Sequence, residues 1–135
     1  MRLASLDVGL KRIGFAISLD EKMVFPQNAI FRRELNQAVS EIAKLLEDWQ
    51  IEKLIVGIPK GGSSEEEMTK EIKSFVNAVL KRVNVDLEYQ NEYGSSKEAK
   101  EMTKGIFRHK RDGKIDSISA KIILERWLYD KKKIF

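Results

Sequence analysis

The sequence predicts a mixed α/β domain: a five-stranded sheet, three strands antiparallel and two more reached by βαβ crossovers, with helices on both faces. Three observations carry this. Leu3 to Leu19, LASLDVGLKRIGFAISL, reads as two antiparallel strands about a turn at Gly9-Leu10. Lys53 to Ile58, KLIVGI, is a short apolar run of the kind found in central parallel strands. Two longer segments, from Arg33 and from Glu65, space their apolar residues at i, i+3, i+4 and i+7, as helices lying on a sheet do.

In the first strand Leu3, Ala4, Leu6 and Val8 form a nearly continuous apolar run that Asp7 interrupts. A carboxylate there is costly unless paired, hydrogen-bonded or metal-bound. In the second strand Ile13, Phe15, Ile17 and Leu19 alternate with Gly14, Ala16 and Ser18, giving one bulky and one small face. Met23 to Ile30 is the expected third strand, with Pro26 marking an edge or a bulge. The helix from Arg33 to Trp49 carries Trp49 on its apolar stripe, which makes that ring core.

KLIVGI ends at Pro59, and Lys60-Gly61-Gly62-Ser63-Ser64 lacks the Lys-Ser/Thr ending of a phosphate-binding P-loop. It reads as a turn leading into the capping box Ser64-Glu65-Glu66-Glu67 of the second helix. Val85 to Tyr89 is a short strand, and a further helix is expected from Ser95-Ser96 with Glu98. A basic stretch then reads as a loop, and Asp116 opens a last helix with a broad apolar surface from Ile118 to Leu128.

At 135 residues and 42% hydrophobic content the chain is one domain, residues 1–135, with room for an ordinary core and no second lobe. No long apolar segment suggests a signal peptide or membrane span, and the lack of cysteine fits a cytoplasmic protein. The net charge of +4 is concentrated. Lys104, Arg108, Lys110, Arg111 and Lys114 face only Asp112 within one eleven-residue stretch, which by itself equals that net charge. Such a cluster favours a polyanionic partner.

Asp7 ends the first strand, Glu92 follows the last, and Asp116 begins the last helix. Each has a plain reading: Asp7 as a turn cap accepting from Gly9 or Leu10, Glu92 as a solvated loop acid, Asp116 as a helix N-cap. Together they have another. Groups at the carboxyl ends of parallel strands gather at one sheet edge, and three carboxylates converging there need cations between them. Hard oxygen ligands select Mg²⁺ or Mn²⁺, and a pair of such ions activates water against a phosphodiester. A first hairpin with Asp-x-Gly occurs both in actin/Hsp70-like ATPases and in nucleases of the ribonuclease H type; the first needs a second lobe, for which this chain is too short.

At these residues the chain resembles the YqgF/RuvX family of ribonuclease H-like proteins, described as Holliday junction resolvases and as pre-16S ribosomal RNA processing nucleases. The resemblance runs nearly end to end. It rests on Asp7-Val8-Gly9-Leu10-Lys11-Arg12-Ile13-Gly14, on Ile55-Val56-Gly57-Ile58-Pro59, on Asn91-Glu92-Tyr93-Gly94-Ser95-Ser96 with Glu98-Ala99, and on Asp116-Ser117 with Ala120 and Ile122-Ile123-Leu124. It implies a ribonuclease H-like fold with Asp7, Glu92 and Asp116 as the acidic active-site residues. The chain departs from the family pattern at Leu10, usually a small hydroxyl residue, at Asn91 and Tyr93, usually Asp and Arg, and at Lys60-Gly61-Gly62.

The reading that follows is a metal-dependent nuclease acting on structured nucleic acid. Asp7, Glu92 and Asp116 are its expected metal ligands, and Lys11, Arg12, Arg108, Lys110, Arg111 and Lys114 its expected phosphate contacts. His109, flanked by Arg108 and Lys110, is expected to be an exposed loop residue without a catalytic role. The second reading is a catalytically weak binding module that keeps only the basic loop. Between the family's two substrates, precursor RNA is favoured over a four-way DNA junction. No surplus apolar stripe is evident for the two-fold dimer that symmetric junction cutting needs, so a monomer is favoured over a homodimer.

Overall fold

The computed structural model describes residues 1–59, 65–91 and 114–133, with only the backbone described at 65, 114–116, 132 and 133. Among these residues six strands and three helices follow in order: β1 (Leu3–Val8), β2 (Arg12–Ser18), β3 (Phe25–Pro26), β4 (Ile30–Phe31), α1 (Leu35–Asp48), β5 (Lys53–Ile58), α2 (Glu65–Leu80), β6 (Asp86–Asn91) and α3 (Lys114–Lys133). One mixed sheet results, ordered β3-β2-β1-β5-β6, with β4 also paired to β2. β1 and β2 are antiparallel, whereas β1, β5 and β6 run parallel, so the carboxyl ends of those three lie at one edge.

The expected third strand is instead two short pieces, β3 and β4, both on β2, and this corrects the five-strand count. Proline has no N–H to give to a ladder, and pairing stops one residue after Pro26. Gln27 still donates its N–H to the Phe15 carbonyl at 2.7 Å, but the Phe15 amide turns to Ser117 Oγ in α3, at 3.4 Å. The chain resumes pairing at Ile30, opposite Ile13.

α1 and α2 cover one face. Ala38, Val39, Ile42 and Leu46 of α1 and Ile72, Phe75, Val76 and Val79 of α2 pack on Ala4, Leu6, Val8, Ile13, Phe15 and Ile17. Trp49 sits half-buried against this core, as its stripe position implies. Arg33 and Glu34 do not extend the helix. Their N–H groups donate to Gln37 Oε1, at 2.8 and 3.2 Å, which closes the first turn.

α3 covers the other face with Ala120, Ile123, Leu124, Trp127 and Leu128 against Leu3, Ala16 and Ile55. Its broad apolar surface is thereby used. The small face of β2 exists for this helix: Gly14, Ala16 and Ser18 are buried, and Ser5 Oγ on neighbouring β1 donates to the Ala120 carbonyl at 2.6 Å. At the far end of α3, Lys53 bridges Glu88 at 2.8 Å and lies over the Trp127 ring. Among the described residues no helix is long and apolar enough to cross a membrane. The helix expected from Ser95 and the basic loop from Lys104 lie outside the described residues, apart from Lys114.

Candidate active site

Alternation along β1 decides where Asp7 faces. Ala4, Leu6 and Val8 join the α1/α2 core, while Leu3 and Ser5 meet α3, so Asp7 shares the α3 face. Opposite it on β2 is Gly14. On β5, the register Leu6↔Val56 carried one residue further sets Gly57 alongside. Neither neighbour brings a side chain, and Asp7 is the one residue of β1 that is half-buried rather than buried. Asp7 thus stands at the carboxyl edge of the sheet with no side chain from its β2 partner beside it.

The turn after it carries one hydrogen bond of its own. Gly9 donates its N–H to the Arg12 carbonyl at 2.9 Å, so this amide is engaged within the hairpin. A Cβ at residue 9 would lie 2.6 Å from that same carbonyl oxygen, which makes glycine a steric requirement here. The glycine of the Asp-x-Gly motif is therefore explained by the hairpin. Leu10, at the tip, is 75% exposed.

α3 brings its first turn to the same edge. Ala120 meets Ser5, Ser117 meets Phe15, and Trp127 and Leu128 lie towards Leu3, so the helix runs from the Asp7 end of β1 to its start. It begins at Lys114, two residues before Asp116. Asp116 therefore stands inside the first turn and not at the cap, a position where the helix dipole also favours an acid. Its side chain lies outside the described residues. Glu92, directly after the end of β6 at Asn91, lies outside them altogether, as do Arg108, His109, Lys110 and Arg111.

Among the described residues no three His, Cys, Asp or Glu side chains come together to hold a metal. Of the expected ligands only Asp7 has its side chain among them. Of the expected phosphate contacts, Lys11 is exposed and Arg12 half-buried at the hairpin beside Asp7, and Lys114 supplies the first backbone position of α3. Reading the sequence missed Arg32. Its N–H donates to the Lys11 carbonyl and its Nη1 to the Gly9 carbonyl, both at 2.8 Å. Nothing in the run Arg32-Arg33 distinguishes the two residues, and only the pairing of β4 with β2 sends the first to the turn.

Away from this edge the electrostatics are structural. The Glu88 carboxyl is held below the ordinary carboxylate range by its hydrogen bond from Lys53. The Asp20 carboxyl is lowered by the amides of Met23 and Lys22, each at 2.9 Å, which shape the turn after β2.

Residues 1–130 match the family described as RuvX, Holliday junction resolvase. A relative from Sulfurovum sp. (strain NBC37-1), named a candidate pre-16S rRNA nuclease, is 62% identical over 128 residues, covering 95% of this chain and 98% of its own. One of the same name from Campylobacter jejuni (strain RM1221) is 49% identical, covering 93% of this chain and 96% of its own. Among solved structures, RuvC of T. thermophilus in complex with Holliday junction substrate superposes with a TM-score of 0.65 at 13% identity, over 98% of this chain and 96% of that one. The Fowlpox virus resolvase bound to junction DNA gives 0.59 at 14% identity, over 97% and 99%. At such identities these two show the shared ribonuclease H-like fold. The family match over residues 1–130 and the 62% identity across nearly the whole chain show that the chain belongs to the RuvX family.

Proposed function

We propose that this chain is a divalent-metal-dependent endonuclease of structured nucleic acid, acting as a single domain, and that its substrate is precursor 16S ribosomal RNA in the cytoplasm. The observation that carries the reading is the placement of Asp7. It is an acid in an otherwise buried strand, flanked by glycines, at the edge where three parallel strands end and α3 starts. The names of the relatives support the substrate.

Asp7, Glu92 and Asp116 are the proposed ligands of Mg²⁺ or Mn²⁺. The donor chemistry fits, because carboxylate oxygens are what these hard cations take. Bound there, the cation supplies an activated water and stabilises the leaving oxygen of the phosphodiester. Lys11 and Arg12 at the hairpin, with Arg108, Lys110, Arg111 and Lys114, hold the RNA backbone across that edge. The burial of the α3 apolar surface inside the fold supports a monomer, which suffices to cut one RNA strand.

The test pairs wild type with Asp7→Asn on precursor 16S RNA and on a four-way DNA junction, each with Mg²⁺ or Mn²⁺. Wild type is expected to cut the RNA and Asp7→Asn to be inactive while melting no lower than wild type in EDTA, since removing a charge relieves repulsion in the metal-free site. An active Asp7→Asn enzyme would overturn the assignment. Symmetric cutting of the junction by a stable dimer, with the RNA intact, would overturn the substrate.

A further inference from the structure

Three polar groups of the β1–β2 turn are held, and Arg32 holds two of them. Its backbone N–H takes the Lys11 carbonyl and its Nη1 the Gly9 carbonyl, both at 2.8 Å, while the third group, the Gly9 amide, goes to Arg12. The guanidinium also lies 5.1 Å from the centroid of the Phe75 ring, and Phe75 is buried in α2. A charged donor makes the stronger kind of hydrogen bond to a carbonyl, and the ring face adds a cation–π attraction. The turn is thus fastened to α2, which belongs to the α1/α2 layer and not to the hairpin.

Gly9 is two residues beyond Asp7. The direction of a carboxylate at a strand end follows the backbone torsions around it, and a hairpin tip as exposed as Leu10 samples several of them when untethered. We propose that Arg32 is a positioning residue for Asp7: by gripping the Gly9 carbonyl and bracing on Phe75, it sets the carboxylate in the direction that receives the divalent cation. This rests on the nuclease reading above. The backbone bond to Lys11 does not depend on the side chain, so Met and Lys variants remove the guanidinium contacts with Gly9 and Phe75 and leave that bond in place. Lysine keeps the charge but loses the planar fork that bonds the carbonyl while lying on the ring.

The experiment compares wild type, Arg32→Met and Arg32→Lys as full chains. Amide exchange at the turn and melting temperature are read without metal, Mn²⁺ binding by the electron paramagnetic resonance of free Mn²⁺, and RNA affinity and single-turnover cleavage separately. Arg32→Met is expected to speed exchange of the Gly9 amide and to weaken Mn²⁺ binding or cleavage by about 10- to 100-fold, as loss of a support behind a metal ligand does. RNA affinity stays unchanged, and Arg32→Lys falls between. Unchanged exchange and Mn²⁺ affinity in Arg32→Met would overturn the proposal. So would weakened RNA affinity with Mn²⁺ binding intact, which would make Arg32 a phosphate contact. A wild type that neither binds Mn²⁺ nor cleaves would refute the nuclease reading itself, whereas an active wild type with an equally active Arg32→Met refutes only the positioning role.

Discussion

Replacing Gly9 by alanine sets the steric account of the Asp-x-Gly turn against its own geometry. The added methyl would stand 2.6 Å from the Arg12 carbonyl oxygen, well inside contact distance, and the obstacle is backbone that cannot rotate away. The turn must open, and opening strains the 2.9 Å bond from the Gly9 amide to that same carbonyl. Forcing one methyl into a packed site costs about 1–3 kcal/mol and a lost hydrogen bond about 0.5–1.5, so the variant should lose roughly 2–4 kcal/mol. For a chain of this size that lowers the melting temperature by roughly 10 °C and, with a urea slope near 2 kcal/mol/M, the midpoint by about 1–2 M. Urea unfolding followed by circular dichroism, with slope and midpoint fitted separately, measures it. A midpoint matching wild type would show that the turn absorbs a Cβ, and the glycine would then need an explanation in ligand approach.

Three further outcomes follow from other contacts. Leu124 is fully buried under the sheet, so Leu124→Ala should cost about 2–5 kcal/mol in chemical denaturation, while a Lys121→Ala control on the same helix costs far less. Glu88→Gln should lower stability at neutral pH by under about 1 kcal/mol, because the carboxylate bridging Lys53 is 47% exposed and screened. Since the folded-state pKa of Glu88 is depressed by the Lys53 bond, its contribution is present above the ordinary carboxylate range and lost as pH falls through the lowered folded value, so the melting temperatures of wild type and variant should converge on acidification. Changing Arg108, Lys110, Arg111 and Lys114 together to alanine should weaken RNA binding irrespective of sequence and flatten the log–log salt slope by about 0.7–0.9 per lost phosphate contact; an unchanged slope would make the segment a solvated connector.

Much of the fold was legible because periodicity is a local signal. The hairpin, the KLIVGI strand and both amphipathic helices stand within a few residues of where alternation and i, i+4 spacing put them. What escaped depends on distant partners. Pro26 warned of an edge or a bulge, but the partner that takes the Phe15 amide beside the break, Ser117 Oγ of α3, lies 102 residues away. The start of α3 was misplaced by two residues because Asp116 looks like a cap and Lys114 does not. In the candidate site, Asp7 stood out as an acid in an apolar run, and Gly14 and Gly57 beside it were visible as residues but not as its neighbours until the register was known. Arg32 was invisible for the same reason, since its role comes from strand pairing.

The hydrogen bond from Ser5 to the Ala120 carbonyl joins residues 115 apart, and it has a consequence for the order of events during synthesis. β1 and β2 can pair as soon as they emerge, but the face carrying Asp7 stays uncovered until α3 has been made, and closing so long a loop comes late in folding. The two faces of the sheet are therefore completed at different points along the chain, the α1/α2 face by Leu80 and the face carrying Asp7 by the helix that begins at Lys114.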